Sequence, residues 1–206
     1  MALFLETVPD TDVSRAVELG FVWGATVHPA LMIGAGGAPP AIISELCELL
    51  SGPVFCPLTA PTRAEREAVA MDLVEISPSK VGLVLPCTTE NLSLLARLTD
   101  DGIMCGATGV LSLHQVLAAC EAGAHFILPD ITQIGQLQGS GLQAVGDMRD
   151  VVEAVDTGAE ILVTGIESPA DVADVVLAGA HHVALSLELL LALGEHPSSG
   201  QANEGV

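Results

Sequence analysis

Short apolar runs alternate along this chain with longer stretches whose apolar residues recur every three to four positions. The runs Ala2–Leu5, Phe21–Val27, Pro53–Leu58, Val81–Leu85, Met104–Ala107, Phe126–Leu128, Glu160–Thr164 and His182–Leu185 read as strands. The stretches Asp12–Leu19, Ala41–Leu50, Thr62–Ile76, Thr88–Asp101, Ser112–Ala122, Gly141–Val155, Ser168–Leu177 and Leu187–Leu193 read as helices. Eight strands alternating with eight helices in βα order predict an α/β protein, a single-domain (β/α)8 TIM barrel over residues 1–193. The segment 194–206, rich in Gly, Ser, Glu and Asn, reads as a flexible tail.

Local signals agree with that pattern. Thr62-Arg63-Ala64-Glu65 and Thr88-Thr89-Glu90 put hydroxyls and carboxylates at helix starts, where unpaired N–H groups need acceptors. Gly102, Gly123 and Gly179 follow helices as stops. The tetrapeptide Ala122-Gly123-Ala124-His125 recurs as Ala178-Gly179-Ala180-His181, a spacing of 56 residues, and each copy leads into a strand.

Composition narrows the chemistry. Half the residues are hydrophobic but only 2% are aromatic, so the core is built from Ala, Val, Leu and Ile. With 26 acidic residues against 6 basic ones the net charge is −20, which disfavours nucleic acid and anionic membrane surfaces as partners. No stretch is long and apolar enough to read as a membrane span, and the start of the chain lacks a basic-then-apolar leader pattern. Cys47, Cys56, Cys87, Cys105 and Cys120 form no CxxC pair and read as reduced core residues, which fits the cytoplasm. No metal-ligand spacing occurs, and the reading calls for no cofactor.

Five segments carry a resemblance to the transaldolase and fructose-6-phosphate aldolase family. Leu3-Phe4-Leu5-Glu6-Thr7 resembles the family's first strand, which ends LDT. Gly24-Ala25-Thr26-Val27-His28-Pro29-Ala30 resembles its TTNPS turn, and Leu83-Val84-Leu85-Pro86 its VKVP strand. Gly139-Ser140-Gly141 matches its GGSG loop, and Pro169 follows strand seven as it does there. The resemblance implies a barrel of commonly homo-oligomeric type that acts on a small molecule at the C-terminal ends of its strands.

The same resemblance marks departures. The lysine that forms a Schiff base in the family falls at Val84, and the aspartate after strand one at Glu6. The asparagine of the turn falls at His28, and the water-holding side chain of strand three at Pro57. The tyrosine after strand six falls at Asp130, and a phosphate-binding arginine at Gln133. A phosphate-binding serine falls at Gly165 and the basic position after it at Glu167, while Thr108 is retained. The single lysine, Lys80, lies four residues before Val84, about 13 Å lower along the strand, and reads as a surface residue. The arginines Arg15, Arg63, Arg66, Arg97 and Arg149 fall in helices or helix entries, none placed as an electrophile.

These positions define the candidate site. His28, Asp130 and Glu6 are the acid/base candidates, His28 because imidazole titrates near neutrality. Thr26, Val84, Thr108, Thr132, Gln133, Thr164 and Glu167 are the candidate substrate contacts. With its cationic groups replaced, such a mouth favours a neutral or cationic ligand over a phosphosugar. His125, His181 and His182 precede strands and belong to the lower, stability face, whereas His114 can reach the rim. Ser112 and Cys56 are possible nucleophiles without an evident His partner. Three functional readings follow: a repurposed, lysine-independent enzyme of aldol-type, cyclisation or dehydration chemistry in specialised biosynthesis; a non-catalytic metabolite-binding protein or structural subunit; and a residual sugar aldolase.

Overall fold

The computed structural model describes residues 1–8, 11–33 and 39–195. Eight strands close into one parallel barrel in chain order: β1 (Ala2–Thr7), β2 (Val22–Val27), β3 (Val54–Pro57), β4 (Val81–Pro86), β5 (Cys105–Thr108), β6 (Phe126–Leu128), β7 (Glu160–Val163) and β8 (His182–Leu185). Pairing of β1 with both β2 and β8 completes the closure. The helices are α1 (Val13–Glu18), α2 (Pro29–Ile33), α3 (Pro39–Leu49), α4 (Arg63–Ile76), α5 (Thr89–Asp100), α6 (Leu113–Glu121), α7 (Ile131–Gln138), α8 (Gly141–Val155), α9 (Pro169–Ala178) and α10 (Leu187–Ala192). The (β/α)8 expectation holds, and the strand boundaries fall within two residues of those read from the sequence. Residues 196–206, most of the expected tail and including His196, lie outside the described residues.

Strand alternation splits the apolar residues into two cores. One face of each strand packs against the helices, through residues such as Leu5, Ala25, Leu83, Ala107 and Leu185. The other face fills the barrel with Phe4, Phe55, Val84, Phe126, Leu128, Leu162 and Ala184. Three of the four phenylalanines sit there, with Phe55 4.8 Å from Phe126 and 5.9 Å from Phe4 between ring centroids. Room for them comes from inward glycines: a Cβ on Gly24 would meet Phe4 at 2.6 Å, and one on Gly82 would meet Phe55 at 2.6 Å. A protein with few aromatics thus spends them where one ring fills the span between facing strands.

Two helices were not read from the sequence, and both begin at candidate site residues. Among the eight residues of α7 only Ile134 is buried, so the apolar stripe that marks a helix is almost absent. Its start is fixed by Asp130, whose carboxylate accepts the Gln133 N–H at 2.8 Å. The five-residue α2 is too short for periodicity to register.

The histidines before strands act as the sequence reading expects, at the lower face. His125 donates its backbone N–H to Cys105 O, and its Nδ1 accepts the Cys105 N–H at 3.3 Å. His181 does the same to Ile161, at 3.0 and 2.8 Å. The repeated Ala-Gly-Ala-His is therefore a strand-bottom clasp. His182 accepts the Ala2 N–H and faces Glu160 at 2.9 Å.

Candidate functional site

Lys80 is remote from the barrel mouth. It precedes β4, and its Nζ donates to Cys47 O at 2.6 Å and Leu50 O at 2.7 Å, closing the C-terminal end of α3. It is the only lysine of the chain, so no lysine amine stands at the catalytic end of the strands. At that end of β4 the inward residue is Val84, 6% exposed and packed with the barrel's apolar cluster.

Glu6, His28 and Asp130 stand at the same end of the barrel, each at or just beyond the C-terminal end of its strand. Glu6 is the last inward residue of β1 and is half-buried. His28 follows β2, and its N–H donates to Thr7 O at 3.0 Å, which seats it beside the end of β1. Asp130 follows β6 and is bridged to Thr164. Burial raises the Glu6 carboxyl above its ordinary range; the facing His28 opposes that shift and the Asp130 charge reinforces it. Glu6 therefore senses the charge of both His28 and Asp130.

His28 and Asp130 also serve the backbone. His28 Nδ1 accepts the Ala30 N–H at 3.1 Å at the start of α2. This bond fixes the neutral ring as the Nε2–H tautomer, which offers a donor at its other nitrogen. Asp130 caps α7 as described, and its seat depends on Gly165: a Cβ there would lie 2.3 Å from Asp130 Oδ1. The presence of a carboxylate at 130 and of glycine at 165 is thus one structural feature.

The rim between β6 and β7 is occupied by its own hydrogen bonds. Thr164 Oγ1 donates to Pro129 O at 3.3 Å. Thr132 Oγ1 donates to Gly165 O at 2.7 Å and lies 3.3 Å from Glu167 Oε1. Gln133 is exposed in the first turn of α7 and Glu167 is exposed beyond β7. Thr26 is half-buried on β2, and its carbonyl accepts the Thr7 hydroxyl at 3.0 Å.

Two cavities open at this end of the barrel. One, of about 390 Å³, is lined by Glu6 with Thr11, Asp12, Ser186 and Glu188, an acidic wall between β8 and β1. The other, of about 420 Å³, lies over β3, β4 and β5 and includes Pro57, Val84 and Thr108. Thus Val84 and Thr108 share one cavity and Glu6 borders the other, while Thr26, His28, Asp130, Thr132, Gln133, Thr164 and Glu167 line neither.

The second cavity brings in one arginine. Arg66, in the first turn of α4, lines it together with Asn91 of α5. Its guanidinium donates to Ala60 O and Pro61 O through Nη1 and to Glu90 Oε1 at 2.5 Å through Nη2. The helix periodicity gave no hint of this; the available signal was position, since the first turns after barrel strands face the mouth.

The candidate nucleophiles fare differently. Cys56 is fully buried on the helix-facing side of β3, and burial raises its thiol far above the usual range, which leaves it inert. Ser112 does have a His neighbour, His114 Nε2 at 3.2 Å. Its hydroxyl proton goes to Gln115 Oε1 at 3.1 Å, because the Gln115 amide is oriented by donation to Cys87 O. Ser112 is therefore an acceptor toward His114, the reverse of an activated nucleophile. Among the described residues no group of three or more His, Cys, Asp or Glu side chains is arranged to hold a metal ion, and no helix is long and apolar enough to cross a membrane.

Comparison with known proteins places the barrel. A family model described as Transaldolase/Fructose-6-phosphate aldolase matches residues 40–205. The chain is 33% identical over 198 residues to a protein named "Probable transaldolase" from Lactiplantibacillus plantarum, covering 96% of this chain and 90% of that one. It is 29% identical over 196 residues to a "Probable transaldolase" of Cereibacter sphaeroides, with 95% and 89% covered. A "Probable transaldolase" of Streptococcus agalactiae is 28% identical over 204 residues, with 99% and 94% covered. A closed eight-stranded barrel, the matched residues and relatives covered along nearly their full length together establish that the chain belongs to the transaldolase/fructose-6-phosphate aldolase family.

Proposed function

We propose that this barrel carries out lysine-independent general acid/base chemistry on a small, non-phosphorylated, neutral or cationic molecule. The observation that carries the reading is Glu6, a half-buried carboxyl at the mouth whose pKa burial raises above its ordinary value, with His28 opposing the shift and Asp130 adding to it. Glu6 transfers the proton. His28 donates from Nε2 to a carbonyl or hydroxyl oxygen on the substrate, since Nδ1 is engaged by Ala30. Asp130 keeps Glu6 protonated closer to neutrality and orients the substrate. The acidic wall of Asp12 and Glu188 beside Glu6 favours a cationic or neutral substrate over a phosphate ester. Aldol-type bond changes, cyclisations and dehydrations all need a proton moved next to a carbonyl or iminium carbon, and specialised biosynthesis is the setting that suits them. No cofactor enters this scheme. The free, buried cysteines support a reducing, cytoplasmic setting. Leu142 and Leu177, exposed along one groove between α8 and α9, support self-association.

A second reading, a non-catalytic metabolite-binding barrel, is favoured by one observation: His28 and Asp130 are both consumed as helix caps. Thermal-shift screening of amines, imines, neutral polyols and phosphosugars, followed by turnover assays on stabilising compounds, separates the two. The proposal expects stabilisation by amines or neutral compounds, and turnover that Glu6→Gln abolishes without loss of binding. Stabilisation by phosphosugars alone, or full activity of Glu6→Gln, sinks it; binding with no conversion by the wild type selects the second reading.

A further inference from the structure

Two residues that line the cavity over β3, β4 and β5, Arg66 and Asn91, carry the two buried side-chain polar atoms that lack a hydrogen-bond partner among the described residues, Arg66 Nε and Asn91 Oδ1. Arg66 is 9% exposed and Asn91 8%. Buried polar groups are ordinarily paired, because an unpaired one keeps its desolvation cost with nothing in return. Here one donor and one acceptor stand unpaired behind the same cavity.

Both atoms are left over by definite geometry. Nη1 of Arg66 is fixed on Ala60 O and Pro61 O, and Nη2 on Glu90, so the Nε edge remains. The Asn91 amide is oriented by Nδ2 donating to Pro86 O at 3.0 Å, so Oδ1 is the atom left. The Arg66 charge is already matched by Glu90. An anion would gain little and would face Asn91 Oδ1; an ammonium group would face the guanidinium. The remainder of the wall includes Pro57, Val84 and Pro86, which offer apolar surface.

We propose that Arg66 and Asn91 form a recognition subsite for a small uncharged group that both accepts and donates a hydrogen bond, a hydroxyl or a carboxamide. Such a group, admitted by a small rotation of the two buried side chains, accepts from Arg66 Nε–H and donates to Asn91 Oδ1. Pro57, Val84 and Pro86 pack against its carbon skeleton. This inference rests on reading the barrel mouth as a ligand site and adds its specificity: the half over β3 to β5 selects a neutral polar end, while the Glu6 half performs chemistry.

The test is a titration of 15N-labelled protein with glycerol, acetamide, sodium acetate and methylammonium chloride. The Arg66 Nε–H and Asn91 side-chain amide resonances are followed. Glycerol or acetamide should move both resonances at concentrations at least tenfold below either salt; glycerol alone assigns a hydroxyl, acetamide alone a carboxamide. Asn91→Leu, and Arg66→Lys, which keeps a cation opposite Glu90 without Nε, should each weaken that binding at least tenfold. Equal response to neutral and charged probes, no response, or wild-type binding in Asn91→Leu overturns the proposal, and the wild-type titration alone decides if the variants fail to fold. A parallel carboxyl titration of Glu6 keeps the two readings apart: an ordinary Glu6 beside a selective Arg66 response defeats the acid/base reading only.

Discussion

Replacing Gly165 by alanine tests whether the carboxylate at 130 and the glycine at 165 are one device. Gly165 has φ +72°, and an alanine Cβ would sit 2.3 Å from Asp130 Oδ1 and 2.7 Å from its Cγ. The carboxyl must swing away, and with it goes the 2.8 Å bond to Gln133 N–H that starts α7. The left-handed backbone costs an alanine about 1 kcal/mol, and loss of the cap costs about 1 kcal/mol more. The sum, about 2 kcal/mol, corresponds to a fall in Tm of about 4–8 °C for a domain of this size. Without the carboxyl only the backbone cost remains, so in an Asp130→Ala background Gly165→Ala should cost about 1 kcal/mol. Urea unfolding of the wild type, both single variants and the double variant closes the cycle. Equal costs of Gly165→Ala in the two backgrounds would refute the linkage, as would a cost near zero in the wild type.

Because the folded protein holds the Glu6 proton more tightly than the unfolded chain, with its ordinary value of 4.5, stability from Glu6 is full below that value and falls as pH rises through the raised folded value. Glu6→Gln should therefore be more stable than wild type near neutral pH and lose the advantage in acid; parallel pH profiles of urea midpoints would contradict this. Asp130→Asn, by removing a facing charge, should lower the Glu6 titration midpoint in a carboxyl NMR experiment, and an unchanged midpoint would separate the two groups. Lys80→Met should cost about 2 kcal/mol in urea unfolding, since it removes two charge-assisted bonds to the end of α3. A neutral Lys80→Met would mean that those bonds do not hold the helix.

What the sequence disclosed and what it hid have the same physical source. Strands and long helices bury a face, so Val81–Leu85 and Gly141–Val155 announced themselves through period and length. The short helix α7 is held by the Asp130 cap rather than by a buried stripe, so nothing periodic marked it. Residues at the strand ends, such as Glu6, His28 and Val84, were legible because the barrel fixes where strand ends lie. Arg66 and Asn91 were not, because which residue of a helix's first turn looks inward is decided by packing. The capping role of His28 and Asp130 was likewise invisible, since a cap and a catalytic group are the same residue types at the same place.

The most direct test of lysine-independent chemistry is borohydride reduction with dihydroxyacetone or fructose 6-phosphate, followed by mass mapping of the chain. Val84 at the mouth and Lys80 clamped on the end of α3 leave no lysine amine to meet a ketone there, so the protein should emerge without a covalent adduct. A reduced sugar adduct mapped to Lys80 would contradict that directly.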